Sequence, residues 1–219
     1  MEQMTRLFAD RRDAGRQLAA RLTDKAAENP VILALPRGGV PVAYEIAKAL
    51  NAELDLLMVR KIGAPGWPEY GIGAVVDGAD PHLVMNDDIV RQIAPSPEYI
   101  RDELQRQLKE IERRRHIYCG DRKPVKLSGR TIIIVDDGIA TGGTIKAALK
   151  GVRKSRPQRI ILAVPVAPQS ALDELESQCD EIICLYVPAD FGAVGAFYQD
   201  FTQTEDREII SLMDSLNDS

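Results

Sequence analysis

The chain has 219 residues, a formal net charge of −5, 45% hydrophobic residues and 28% charged ones, which suits one α/β domain with a sizeable core and excludes wholesale disorder. Two histidines and three cysteines without C-x-x-C spacing disfavour a His-built metal site and a disulfide framework. No apolar run nears the ~20 residues of a membrane helix, and the first residues lack a signal-peptide core, so a cytoplasmic protein with no membrane partner is expected.

The first predicted element is a helix over about 10–28, with Ala14, Leu18 and Leu22 on one stripe. A short apolar strand at 31–35 feeds Pro36-Arg37-Gly38-Gly39, and helical spacing returns over 40–50. The next strand is 54–59, ending in Arg60-Lys61. Between 62 and 73 lie Gly63, Pro65, Gly66, Pro68, Gly71 and Gly73, a pattern that predicts a mobile loop. Segments 74–76 and 83–85 flank Asp77-Gly78-Ala79-Asp80 and read as a small hairpin, so 62–85 together form a flexible lid and hairpin that carries Trp67.

Asp87-Asp88 reads as a helix start, and Ser96-Pro97-Glu98 as a stronger one: a capping hydroxyl, Pro at the first helical position and an acid in the first turn. The second helix carries Ile100, Leu104, Leu108 and Ile111 as an apolar stripe and ends before Gly120, so 96–120 is a long inserted helix. Strands at 131–135, 159–164 and 181–187 then alternate with helices near 144–154, 169–177 and 206–216. The run Thr131-Ile132-Ile133-Ile134-Val135 has no polar alternation, as in strands buried on both faces. The fold class that follows is α/β: a three-layer, open, mostly parallel twisted sheet flanked by helices, in a single domain over 1–219.

Charge is unevenly spread. Residues 101–130 hold ten Lys/Arg against five acids, and residues 168–219 one Arg against twelve acids. In the basic helix, acids are interspersed, and Asp102–Arg106 and Glu110–Arg114 are i,i+4 pairs. That pattern favours a solvated or subunit-contacting face, a homodimer being open, over a nucleic-acid site.

The chemistry is concentrated in Val135-Asp136-Asp137-Gly138-Ile139-Ala140-Thr141-Gly142-Gly143-Thr144. A buried strand delivers two adjacent carboxylates to a sheet edge, and a loop of small and hydroxyl residues leads into a helix. Unpaired N–H groups at that helix start suit a phosphate. The loop is neither a Walker A sequence nor a dinucleotide fingerprint. Ribose hydroxyls are the partners that best fit the carboxylates.

This stretch resembles the signature of the type I phosphoribosyltransferase family: four apolar residues, two acids, a short apolar stretch, then Thr-Gly. Gly138 departs from it, since the family usually has an apolar residue there, and is expected to loosen the loop. The resemblance implies that Ala140, Thr141, Gly142, Gly143 and Thr144 hold the 5-phosphate of phosphoribosyl pyrophosphate (PRPP). Asp136 and Asp137 would hold its ribose. Leu35-Pro36-Arg37-Gly38-Gly39 is similar to the family's pyrophosphate loop, which can carry a non-proline cis peptide, here at Pro36–Arg37. Arg60 and Lys61 would also face the pyrophosphate.

On this resemblance Asp136, Asp137, Arg37 and Lys61 carry catalysis, with Mg²⁺ held mainly through PRPP and flanked by Asp136 and Asp137. The family's strand order makes 31–35 and 131–135 neighbours, with their following helices on opposite faces. Val187-Pro188-Ala189-Asp190-Phe191 is loosely similar to the base-binding segment of the 6-oxopurine enzymes. This makes 188–203 a hood with Phe191, then Tyr198, stacking on the base. The phosphate loop looks more like that of adenine or uracil enzymes, so the small nitrogenous base stays open. The implied function is transfer of phosphoribose to that base. The alternative is a catalytically weak PRPP- or nucleotide-binding regulator that contacts RNA or DNA through its Arg-rich helix.

Overall fold

The computed structural model describes residues 7–216. Its elements in chain order are α1 (Arg11–Arg21), β1 (Val31–Ala34), α2 (Gly39–Leu50), β2 (Glu53–Leu56), β3 (Val59–Ala64), β4 (Trp67–Val76), β5 (His82–Met85), α3 (Asp87–Ile93) and α4 (Pro97–Cys119). There follow β6 (Thr131–Val135), α5 (Gly143–Lys154), β7 (Arg159–Val166), α6 (Gln169–Leu175), β8 (Glu181–Tyr186) and α7 (Asp206–Ser215).

Strands β1 and β6 are apolar at nearly every position and buried throughout, so helices must cover both faces of the sheet that contains them. That sheet is parallel, in the order β2-β1-β6-β7-β8. Alternate residues serve opposite layers. Ile32, Ala34, Ile133, Val135, Ile161 and Ala163 pack with α1, α2, α4 and α7. Val31, Leu33, Ile132, Ile134, Ile160 and Leu162 pack with α5 and α6. As the sequence resemblance implies, β1 and β6 are neighbours and the helices that follow them lie on opposite faces.

The strand expected at 54–59 is divided between two sheets. Leu57 N–H donates to the Ala34 carbonyl at 2.8 Å, ending the ladder with β1, while the Met58 carbonyl accepts from Asp77 N–H at 2.9 Å. The backbone thus changes partner between two residues and enters a second, antiparallel sheet, β3-β4-β5. The Gly/Pro-rich stretch expected as a loop is the body of this sheet, with a register shift at Gly63. A Cβ there would lie 2.4 Å from the Pro68 carbonyl oxygen. Glycine here marks close backbone approach between strands.

Helix α1 is shorter than predicted: it ends at Arg21, followed by a 3₁₀ turn over Thr23–Glu28. The long helix has the expected start, with Ser96 Oγ accepting from Tyr99 N–H at 3.1 Å and Pro97 in its first turn. Arg115 fastens it to both sheets by donating to Asp55 and Asp77, each at 2.7 Å, and to the Leu56 carbonyl at 3.0 Å. Burial raises the Asp77 carboxyl above its ordinary value, against the pull of Arg115. Among the described residues no helix is long and apolar enough to cross a membrane.

Candidate functional site

In a sheet ordered β2-β1-β6-β7-β8, the chain leaves β1 in one direction and β6 in the other, so a crevice opens beyond their C-terminal ends. Two loops face each other there. The first, Leu35–Gly39, contains a cis peptide between Pro36 and Arg37, at the position the sequence resemblance implies. The second runs from Asp136 to Thr144. They touch: a Cβ on Gly39 would stand 2.7 Å from the Val135 carbonyl and 3.0 Å from Asp136 Cα. Only glycines admit this approach.

The second loop ends at the N-terminus of α5. Gly142 caps it with φ +74° and no side-chain hydrogen bond, the first turn holds no acid, and Ala140, Thr141, Gly143 and Thr144 are exposed. A helix start with no side-chain cap, its dipole and two exposed hydroxyls are features that suit an anion. Ile139 is buried and its N–H donates to the Val166 carbonyl at 2.9 Å, anchoring the loop to β7.

The carboxylate pair is supported from three directions. Asp136 accepts from Asp137 N–H at 2.9 Å. Burial, then the adjacent Asp137 carboxylate, pushes Asp136 well above the ordinary carboxylate range. Asp137 Oδ2 accepts from Arg11 Nε at 2.8 Å, and the Asp137 carbonyl accepts from the Tyr198 hydroxyl at 2.6 Å. Val194 closes on Gly138, where a Cβ would lie 2.5 Å from Val194 Cγ1 at a φ of +152°. Gly138 is thus closely packed against Val194, where a loosened loop was expected.

The model of the phosphoribosyl transferase domain matches residues 6–201. The chain belongs to this family. It is 46% identical over 209 residues to a Mycobacterium tuberculosis H37Rv protein that carries the provisional name phosphoribosyl transferase, covering 95% of this chain and 47% of that protein. The chain thus spans about half the length of that curated relative. The crystal structure of TT1426 from Thermus thermophilus superimposes with a TM-score of 0.82 at 41% identity, covering 95% of this chain and 98% of that one.

In this phosphoribosyl transferase domain the expected site residues fall into two groups. Arg37, Gly38, Gly39, Asp136, Asp137 and the 140–144 loop meet at one crevice. Arg37 also pairs with Asp206 at 3.6 Å, whose Oδ1 accepts from the Tyr118 hydroxyl at 2.8 Å. Arg60 and Lys61 lie on β3 of the small sheet. Arg60 Nε donates to Gln107 of α4 at 2.9 Å, and Lys61 Nζ donates to the Glu69 carbonyl and carboxylate at 3.0 and 3.1 Å. Trp67, in β4, is 70% exposed.

Phe191 is half-buried and stacks on Phe197 at 5.7 Å. Tyr198 is placed differently from the base-stacking role expected of it. It is 2% exposed, with Phe8 and Phe201 rings at 5.2 and 4.9 Å and its hydroxyl committed to Asp137. A ring so enclosed supports the acidic loop and offers no face to a base.

Sequence reasoning missed Arg11, because an arginine opening an amphipathic helix has no signature; its contact spans 126 positions. Four arginines of the basic helix are paired with acids of the protein. Arg106 pairs with Glu103, Arg113 and Arg114 with Glu110, and Arg115 with Asp55 and Asp77. Among the described residues no group of three or more His, Cys, Asp or Glu side chains could hold a metal ion. The adjacent carboxylates of Asp136 and Asp137, the latter paired with Arg11, are oxygen donors of the kind a divalent cation such as Mg²⁺ takes.

Proposed function

We propose that this domain transfers the 5-phosphoribosyl group of PRPP to a small nitrogenous base and releases pyrophosphate. The observation that carries the reading is the opposition of the Pro36–Gly39 loop and the Asp136–Thr144 loop across the β1/β6 switch point. Two anion-binding loops flanking a carboxylate pair match a ligand with phosphate at both ends and ribose between.

The chemistry breaks the bond from ribose C1 to the pyrophosphate oxygen and forms one from C1 to a ring nitrogen. N–H groups at the start of α5, with Thr141 and Thr144, hold the 5-phosphate. Asp136 and Asp137 accept hydrogen bonds from the ribose hydroxyls. Arg37 and the Gly38–Gly39 backbone stabilise negative charge on the departing pyrophosphate. Asp136 and Asp137, together with substrate oxygens, would hold Mg²⁺, which would supply further positive charge for the departing pyrophosphate. No covalent nucleophile is required; positioning and electrostatics supply the rate. Phe191, half-buried against Phe197, is the proposed contact for the base.

The test is pyrophosphate release from PRPP and Mg²⁺ across a panel of purine and pyrimidine bases, paired with calorimetric PRPP titration. One base should support turnover, and Asp136→Asn/Asp137→Asn should abolish PRPP binding. Absence of PRPP binding with and without Mg²⁺, or wild-type binding by the double variant, overturns the reading.

A further inference from the structure

Asp137 is gripped from outside both anion-binding loops. Arg11, the first residue of α1, donates through Nε to Asp137 Oδ2 at 2.8 Å, and both side chains are largely buried, at 11% and 15% exposure. The guanidinium is itself fixed. Its carbon stands 3.9 Å from the Phe201 ring centroid, and Nη1 donates to the Thr202 carbonyl at 2.7 Å. The start of α1 is held in turn by the hood, because Gln199 N–H donates to the Phe8 carbonyl at 2.8 Å and Asp200 N–H to the Ala9 carbonyl at 2.9 Å.

We propose that Arg11 is a positioning residue for the sugar: it engages Asp137 Oδ2 and leaves Oδ1 to accept a ribose hydroxyl. The proposal rests on the PRPP reading above. An aspartate beside a second carboxylate is repelled by it and, left alone, rotates among its staggered positions. A planar guanidinium locked by an aromatic ring and a carbonyl removes that freedom at little further entropic cost. The Tyr198 hydroxyl fixes the Asp137 backbone, so Arg11 sets the remaining side-chain torsions. Arg11 acts through Asp137, and its guanidinium is committed to protein partners.

Calorimetry with Mg²⁺ separates this role from general stabilisation, using PRPP and, separately, pyrophosphate, which has no ribose. Arg11→Met keeps length and apolar contact with Phe201. It should fold, bind pyrophosphate as the wild type does, and lose about tenfold or more in PRPP affinity, the range for a lost charge-assisted hydrogen bond. Arg11→Lys should recover part of that loss. In an Asp137→Asn background, Arg11→Met should add no further loss. If Arg11→Met does not fold, Arg11→Lys against Arg11→Lys/Asp137→Asn provides the same comparison.

Unchanged PRPP affinity in the Arg11 variants, equal losses for PRPP and pyrophosphate, or additive losses in the double variant overturn the proposal. A wild-type chain that binds no PRPP overturns the underlying reading instead.

Discussion

Gly38 and Asp137 meet across the crevice: a Cβ on Gly38 would lie 2.0 Å from Asp137 Oδ2 and 2.6 Å from its carboxyl carbon. The same oxygen accepts from Arg11. The Asp137 carboxylate is therefore bounded by the Arg37-Gly38 loop on one side and by α1 on the other.

Gly38→Ala should therefore act on ligand binding more than on the fold. The added methyl must displace the carboxylate, at an overpacking cost of about 1–3 kcal/mol. The expected outcome is a folded protein with a modestly lowered Tm and PRPP affinity reduced by about tenfold or more. Thermal unfolding and calorimetric titration measure the two effects separately. Wild-type PRPP affinity would show that Asp137 does not need its present place.

Gly138 carries a backbone and a steric requirement together, φ +152° and 2.5 Å to Val194 Cγ1. Gly138→Ala should destabilise by about 1–3 kcal/mol in urea unfolding. Adding Val194→Ala should return the steric part only, since the backbone strain stays. Full recovery in the double variant would mean that φ at this position costs nothing.

Arg115 is buried between Asp55 and Asp77. Arg115→Met leaves two buried carboxylates without their counter-charge and should cost about 3–5 kcal/mol in equilibrium unfolding. Neutralising all three, as Asp55→Asn/Asp77→Asn/Arg115→Met, should cost clearly less. A triple variant as unstable as the single one would show that geometry rather than charge dominates the joint.

Cys179 is pushed up to about 11, chiefly by burial and then by the Asp180 carboxylate. A raised thiol value means little thiolate at neutral pH, so site-resolved iodoacetamide labelling should be slow at pH 8. The rate should climb about tenfold per pH unit until it levels near that value. Asp180→Asn should move the rise to lower pH. A plateau at pH 8–9 in the wild type contradicts the assignment.

Much of the fold was readable because uninterrupted apolar strands and well-capped helices are local features. Thr131–Val135 announces a strand covered on both faces, and Ser96-Pro97 announces α4; both are found where expected. Of the small sheet, the β4–β5 hairpin was readable from segments 74–76 and 83–85, but β3 and the first half of β4 were not. Glycine and proline at 63–73 have the composition of a loop, and only the facing backbone of Pro68, which no local pattern reveals, makes Gly63 a strand residue. Tyr198 was misread for a related reason: an aromatic near a hood can stack on a base or fill a core, and burial alone separates the two.

The sequence by itself determined the layered α/β class, the two loops, and the acidic pair between them, because each depends on residues adjacent along the chain. Tertiary structure alone decided what surrounds the pair. It placed Arg11 on Asp137 from 126 positions away, Tyr198 beneath it, and Val194 against Gly138, while it engaged Arg60 and Lys61 in the small sheet. The initial net charge of −5 carries none of this. Hydrogen-bond and steric contacts act only over a few ångströms, so what a side chain does depends on which distant segments the fold brings beside it.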